Sequence, residues 1–219
     1  MKFSDYQIAF FDAVKGTGNI ALNAVAGSGK TTTICESVKN VDGKVLMSPF
    51  SKDIEAELKS RVNEDNVLIQ TNNALGWGAV RQRYPQAKLS KQKNFFIMRS
   101  RYDMNSNEKY EFFALVKHVC RLVDPFKSNL ILDPKEAARL TPEYIEHYGI
   151  AVAEKYDDII CDVIEWVYEE SLKDREFFDF NDQILVPLLD NLALPKFDVT
   201  YVDEFQDTNM LQFELLSRV

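Results

Sequence analysis

Two short runs carry side chains whose types and spacing suit nucleotide chemistry. The first is Ala24-Val25-Ala26-Gly27-Ser28-Gly29-Lys30-Thr31-Thr32. It follows an apolar segment, Asn19 to Val25, that reads as a buried strand, and it opens a helical segment, Gly29 to Lys39. Strand, glycine-rich turn and helix form the setting in which main-chain N–H groups converge on phosphate oxygens. The glycines permit the tight turn, and the helix N-terminus adds the positive end of its dipole. Lys30 brings a full charge to the β- and γ-phosphates, and the Thr31 hydroxyl suits a Mg²⁺ ion carried with them. The strict pattern begins with glycine where this chain has Ala24, a small residue that still fits. A Gly/Ser turn capping an ordinary helix is the alternative, and Gly-Ser-Gly-Lys-Thr in this setting weighs against it.

The second run is Tyr201-Val202-Asp203-Glu204-Phe205-Gln206-Asp207, where an apolar strand over 197–202 ends on two adjacent carboxylates. Ligand sites of parallel sheets lie at the carboxyl ends of the strands. Asp203 there suits the Mg²⁺ held by Thr31, and Glu204 suits orienting and deprotonating water. An isolated Asp-Glu pair is usually a solvated loop. With a phosphate-binding loop upstream, the two runs predict one site. Lys30, Asp203 and Glu204 are its catalytic candidates, and Thr31 and Asp203 its metal ligands.

These runs need elements to position them. Ser4 to Val14 places Ile8, Phe11 and Val14 at helical spacing. Strand patterns at 19–25, 44–48 and 67–71 alternate with helical patterns at 29–39 and 52–62, and a strand returns at 197–202. The alternation predicts an α/β fold with a parallel sheet. From about Arg81 to Lys173 helical periodicity dominates. Val152, Tyr156, Ile159, Ile160, Val163 and Val167 form an amphipathic stripe, and Pro125, Pro134 and Pro142 divide the region into short helices. The expected organisation is an α/β part at 1–80, a helical insertion at 81–175 and a resumed α/β part at 176–219.

The 219 residues, 46% of them hydrophobic, are enough to bury a core without disulfides. A net charge of −8 excludes a polybasic protein whose overall charge drives nucleic-acid binding, but not a local basic face. Residues 81–101 contain Arg81, Arg83, Lys88, Lys91, Lys93, Arg99 and Arg101 and no acid, with Tyr84, Phe95, Phe96 and Tyr102 among or beside them. The pattern predicts a phosphate-tracking patch with stacking platforms; a solvated helical face is the alternative. Trp166 reads as core. Cys35, Cys120 and Cys161 lack CxxC spacing and read as reduced, mostly buried thiols, and with only His118 and His147 beside them a His/Cys metal cluster is poorly supported. No apolar run approaches the ~20 residues of a membrane span, and no signal peptide is evident, so an intracellular, soluble protein is expected.

AVAGSGKT at 24–31 and DEFQDTN at 203–209 together resemble the UvrD/Rep/PcrA group of superfamily 1 DNA helicases. Supporting segments follow in order along nearly the whole chain. Gln7 resembles the adenine-contacting glutamine, although Ser4-Asp5-Tyr6-Gln7 is equally a capping box. Pro49-Phe50-Ser51-Lys52 is similar to a segment that touches single-stranded DNA. Phe50 as core and Ser51 as a helix cap are the alternatives. Thr71-Asn72-Asn73 sits at the family's next DNA-facing segment, with asparagines replacing its aromatic residue and histidine. Asp179-Phe180-Asn181-Asp182-Gln183-Ile184 resembles the entry to the helix before the acidic strand. The resemblance implies ATP and Mg²⁺ as cofactors. It assigns nucleotide contacts to Gln7, to 24–32 and to Gln206, which with Asp207 would couple nucleotide state to a DNA-facing surface. DNA contacts would come from Phe50, Ser51, Lys52, Thr71, Asn72, Asn73, Arg81, Arg83, Lys91 and Lys93. It also implies a RecA-like domain with an inserted all-helical subdomain, and 3′ to 5′ movement on single-stranded DNA. The chain reaches Val219 twelve residues after Asp207, so the resemblance implies that a further sheet strand, a second RecA-like domain and its γ-phosphate arginines lie outside it. RNA in place of DNA, a nucleotide-binding module without turnover, and an ATPase of another class all stay open on these residues.

Overall fold

The computed structural model describes residues 3–25, 27–101, 108–157 and 159–219, and of 108–111 the backbone alone. Ala26 and Tyr102 lie outside the described residues. In chain order the first elements are α1 (Asp5–Ala13), α2 (Lys30–Ser37), β1 (Val45–Ser48), α3 (Lys52–Arg61), β2 (Val67–Ile69) and α4 (Asn72–Arg83). Then come β3 (Lys88–Leu89), α5 (Lys93–Arg99), α6 (Glu108–Ser128), α7 (Pro134–His147) and α8 (Ile160–Lys173). The last are β4 (Phe177–Phe178), α9 (Asp182–Leu189), β5 (Val199–Val202) and α10 (Met210–Leu216). The chain forms two compact units, one of Met1–Leu75, Leu194–Thr208 and Arg218–Val219, the other of Gly76–Ala193 and Asn209–Ser217.

In the first unit three parallel strands run in the order β2-β1-β5. Val45 aligns with Val67 on one side and Val199 on the other, and Ser48 aligns with Val202. Every residue of β1 is buried, as an apolar central strand covered on both faces must be. Val14, Cys35, Val38, Leu58, Val62 and Ile69 pack with Val45 and Met47 into one core. Helix starts follow local chemistry. Ser4 and Gln7 form the capping box of α1, and the Ser51 hydroxyl accepts the Ile54 N–H at the start of α3. The predicted strand at 19–25 is not formed, and the segment is largely exposed. A strand exists through its ladder. β1 takes one edge of β5, no described residue pairs with the other, and 19–25 joins no ladder. β2 ends at Ile69, short of Thr71, because Thr71 leaves the sheet to accept the Ala74 N–H at the head of α4.

The second unit is built mainly from α5 to α8 around Met98, Phe112, Leu122, Phe126, Ile164 and Tyr168. It is not wholly helical, since β3 and β4 pair in parallel, Lys88 with Phe177 and Leu89 with Phe178. The stripe on α8 is real from Ile160 onward, whereas Ile159 precedes the helix and is exposed. The prolines do not all divide helices. Pro125 and Pro142 lie inside α6 and α7, and Pro134 opens α7 behind the Asp133 cap. Trp166 is partly buried, with the Arg101 guanidinium 4.0 Å from its ring centroid.

A buried ionic cluster ties this unit together. Lys127 is 0% exposed, and its ammonium meets Asp179 at 2.5 Å, Asp182 at 2.7 Å and the Ser171 hydroxyl at 3.0 Å. Lys93 is 1% exposed, and it donates to Asp182 and to the Ser171 carbonyl, both at 2.7 Å. Burial opposes the charges; it prevails at Lys93, whose ammonium is pushed below its ordinary range, whereas the facing groups outweigh it at Lys127 and Asp182. Lys127 is held above its ordinary range by Asp182 and Asp179, and Asp182 is held down to about 2 by the two lysines. Lys93 therefore corrects an expectation. It is not on a phosphate-tracking surface, because its ammonium is enclosed and bonded to Asp182 and Ser171.

Candidate nucleotide-binding site

All three strands of the first unit point their carboxyl ends the same way. Pro49 to Lys52 follows β1, Gln70 to Asn73 follows β2, and Asp203 to Asp207 follows β5. The parallel register therefore brings the 203–207 segment beside segments 130 or more residues earlier in sequence. The Ser48 hydroxyl at the end of β1 donates to Asn72 Oδ1 at 2.7 Å, linking two of these ends directly.

The glycine-rich loop has the required backbone. Gly27 and Gly29 have φ of 77° and 85°, in the left-handed region that glycine adopts without a Cβ penalty. Gly29 caps α2, so Lys30, Thr31 and Thr32 form its first turn, where main-chain N–H groups have no helical partner. Val25 and Ser28 are exposed and Ala24 is half-buried. Lys30 reaches across to the end of β5. Its Nζ lies 2.7 Å from Glu204 Oε1 and 3.7 Å from Asp203 Oδ1. The hydrogen bond from Lys30 holds Glu204 below the usual carboxylate range, with Gln206 adding to the effect, and the same bond raises Lys30. Gln206 Nε2 donates to Glu204 Oε2 at 2.5 Å. These distances place the Lys30 ammonium beside both carboxylates.

Gln7 serves two ends at once. Its Oε1 accepts the Ser4 N–H at 2.9 Å, completing the cap, while its Nε2 donates to Thr33 Oγ1 at 2.8 Å. Thr33 in turn donates to the Gly29 carbonyl at 3.0 Å. The cap thus places Gln7 against the phosphate loop. Thr33 was not singled out by sequence, although its position one helical turn beyond Lys30 carried the signal.

The donor set for a metal is small. Among the described residues no group of three or more His, Cys, Asp or Glu side chains could hold an ion. A hydroxyl and a carboxylate, Thr31 and Asp203, fit Mg²⁺, which usually keeps waters and takes phosphate oxygens besides one or two protein ligands. No described helix is long and apolar enough to cross a membrane.

The expected DNA contacts divide. Phe50 is 59% exposed, which removes the core alternative. Lys52 is exposed, Ser51 caps α3, and Thr71 and Asn72 are half-buried, Thr71 bonded to Ala74 and Asn72 to Ser48. Asn73 is half-buried in the first turn of α4. In the second unit Arg81, Arg83 and Lys91 are exposed. The acid-free stretch is answered by acids from elsewhere: Lys88 pairs with Glu176 at 3.1 Å, Lys93 with Asp182, and the Tyr84 hydroxyl donates to Asp190 at 2.6 Å.

Residues 9–219 match the family described as UvrD/REP helicase N-terminal domain. The chain is 25% identical, over 95% of its length, to the ATP-dependent DNA helicase PcrA of Bacillus subtilis, covering 30% of that protein. It is 26% identical, over 99% of its length, to the ATP-dependent DNA helicase Rep of Buchnera aphidicola, covering 33%. A probable DNA helicase II homolog of Mycoplasma capricolum is 27% identical over 90% of the chain, which covers 30% of it. The chain thus spans about a third of the length of these curated relatives. With a match running from the first helix to the last residue, through both the phosphate loop and the acidic strand end, the chain belongs to the UvrD/REP helicase N-terminal domain family.

Proposed function

We propose that this chain is the ATP-binding motor unit of an ATP-dependent DNA helicase that travels 3′ to 5′ on single-stranded DNA. The observation that carries the reading is the convergence of Lys30, at the head of α2, on Asp203 and Glu204 at the end of β5. Lys30 and the loop N–H groups hold the β- and γ-phosphates. Gln7, anchored beside the loop, reads the adenine. Thr31 and Asp203 hold Mg²⁺, which when bound neutralises charge on the phosphate oxygens. Glu204 takes the proton of the attacking water. Phe50, Lys52 and the 71–73 segment, at the carboxyl ends of neighbouring strands, face the DNA strand, with Arg81, Arg83 and Lys91 as further phosphate contacts. The homologous helicase names and the parallel-sheet geometry support this reading.

The test is ATP binding and ATP turnover, with and without single-stranded DNA, in the protein that carries this domain. Lys30→Ala should lose nucleotide binding or hydrolysis while its circular dichroism stays native, since Lys30 is half-exposed and outside the core. Parental activity in that variant would remove the assignment.

A further inference from the structure

Lys30 must meet the phosphates, yet its ammonium already has an anionic partner in Glu204 at 2.7 Å. The second oxygen of that carboxylate accepts from Gln206 at 2.5 Å. The backbone makes this second contact possible. Glu204 sits in the left-handed region, at φ 48° and ψ 48°, where β5 turns into the 3-10 turn Phe205–Asp207. The turn folds the chain back so that Gln206 meets a carboxylate only two residues earlier. Lys30 and Glu204 side chains are 31% and 39% exposed, so the pair is solvated and can open. A phosphate brought to the same ammonium meets a like charge at contact distance.

We infer that nucleotide binds this chain by exchange: phosphate oxygens displace the Glu204 carboxylate from Lys30, and Gln206 is the positioning residue that keeps the displaced carboxylate at the end of β5. The inference rests on the nucleotide reading above and adds an order of events to it. Glu204 is occupied by Lys30 until phosphate arrives, and is then released beside the phosphate and still held by Gln206. The same charge that awaits water also opposes nucleotide entry.

The experiment is titration of a fluorescent ADP with Mg²⁺ against the parent, Glu204→Gln, Lys30→Gln and the double variant. Glu204→Gln keeps the side-chain shape and removes its charge. It should bind about two- to five-fold tighter than the parent, the range an exposed ion pair contributes. In the Lys30→Gln background that gain should vanish. No gain in either background, or the same gain in both, would overturn the exchange, the latter by showing that Glu204 merely repels phosphate at a distance. Lys30→Gln binding as tightly as the parent would instead sink the nucleotide reading itself. For Gln206→Ala, ATP turnover in the protein that carries this domain should fall at least ten-fold in kcat with KM within two-fold. A raised KM at unchanged kcat would show that Gln206 acts on binding and not on the placement of Glu204.

Discussion

At the scale of single residues, charge placement decides the proposed chemistry. The hydrogen bond from Lys30, with Gln206 adding to it, holds Glu204 low and weakens it as a base, and release from Lys30 by phosphate would relieve the larger part of that effect. Glu204→Gln should therefore retain nucleotide and lose turnover, on the order of 10²-fold or more for a general base. Single-turnover kinetics with ATP would show it, and undiminished turnover would exclude Glu204 as the base. Gly76 is a residue whose importance lies in what it lacks. A Cβ there would run into the Gln183 carbonyl at the entry to α9. Gly76→Ala should destabilise the second unit by about 1–3 kcal/mol, as overpacking does, measured by urea denaturation. A neutral result would mean that α4 and α9 can separate without cost.

At the scale of elements, the second unit is held by ions where a helical core usually needs none. Lys93 on α5, Lys127 on α6, Ser171 on α8, Asp179 and Asp182 at the entry to α9 share one buried network. Asp179 and Asp182 also accept each other's main-chain N–H groups at 2.9 Å, so the turn between them is clamped from both ends. Removing one member leaves opposite charges buried without a partner. Lys127→Met should cost about 3–5 kcal/mol in thermal or denaturant unfolding. The pH dependence has a definite sign. Asp182 has a folded pKa depressed to about 2, so its stabilisation is complete above the unfolded value near 4 and is lost as pH falls from there through about 2. Acid denaturation of Asp182→Asn should lack that loss.

At the scale of the whole molecule, a net charge of −8 means that the proposed nucleic-acid binding rests on local patches. Reversing Arg81, Arg83 and Lys91 should weaken single-strand binding and flatten its salt dependence. Each lost phosphate contact should lower the slope of log K against log salt by roughly 0.7. Lys93→Glu should behave differently, unfolding the second unit before any change in the slope can be read. Measuring melting temperature beside the salt series separates the two effects. A Lys93→Glu protein with native stability and a reduced slope would contradict the burial described for it.

The sequence by itself determined what depends on neighbours a few residues away. The glycine pair that lets the loop turn, the side chains that cap α1 and α3, and the acids closing β5 were all legible, because each acts within about one turn of chain. It also determined the family, since the phosphate loop and the acidic run are specific in composition and order. Tertiary structure decided what depends on distant partners. Whether 19–25 became a strand depended on a ladder neighbour that its own residues cannot supply. Whether Lys93 faced solvent or a buried Asp182 depended on a residue 89 positions away, and Lys88 likewise is paired with a distant acid, Glu176. Local propensity is written along the chain, whereas burial and charge pairing are properties of packing, and packing joins residues that the linear pattern keeps apart.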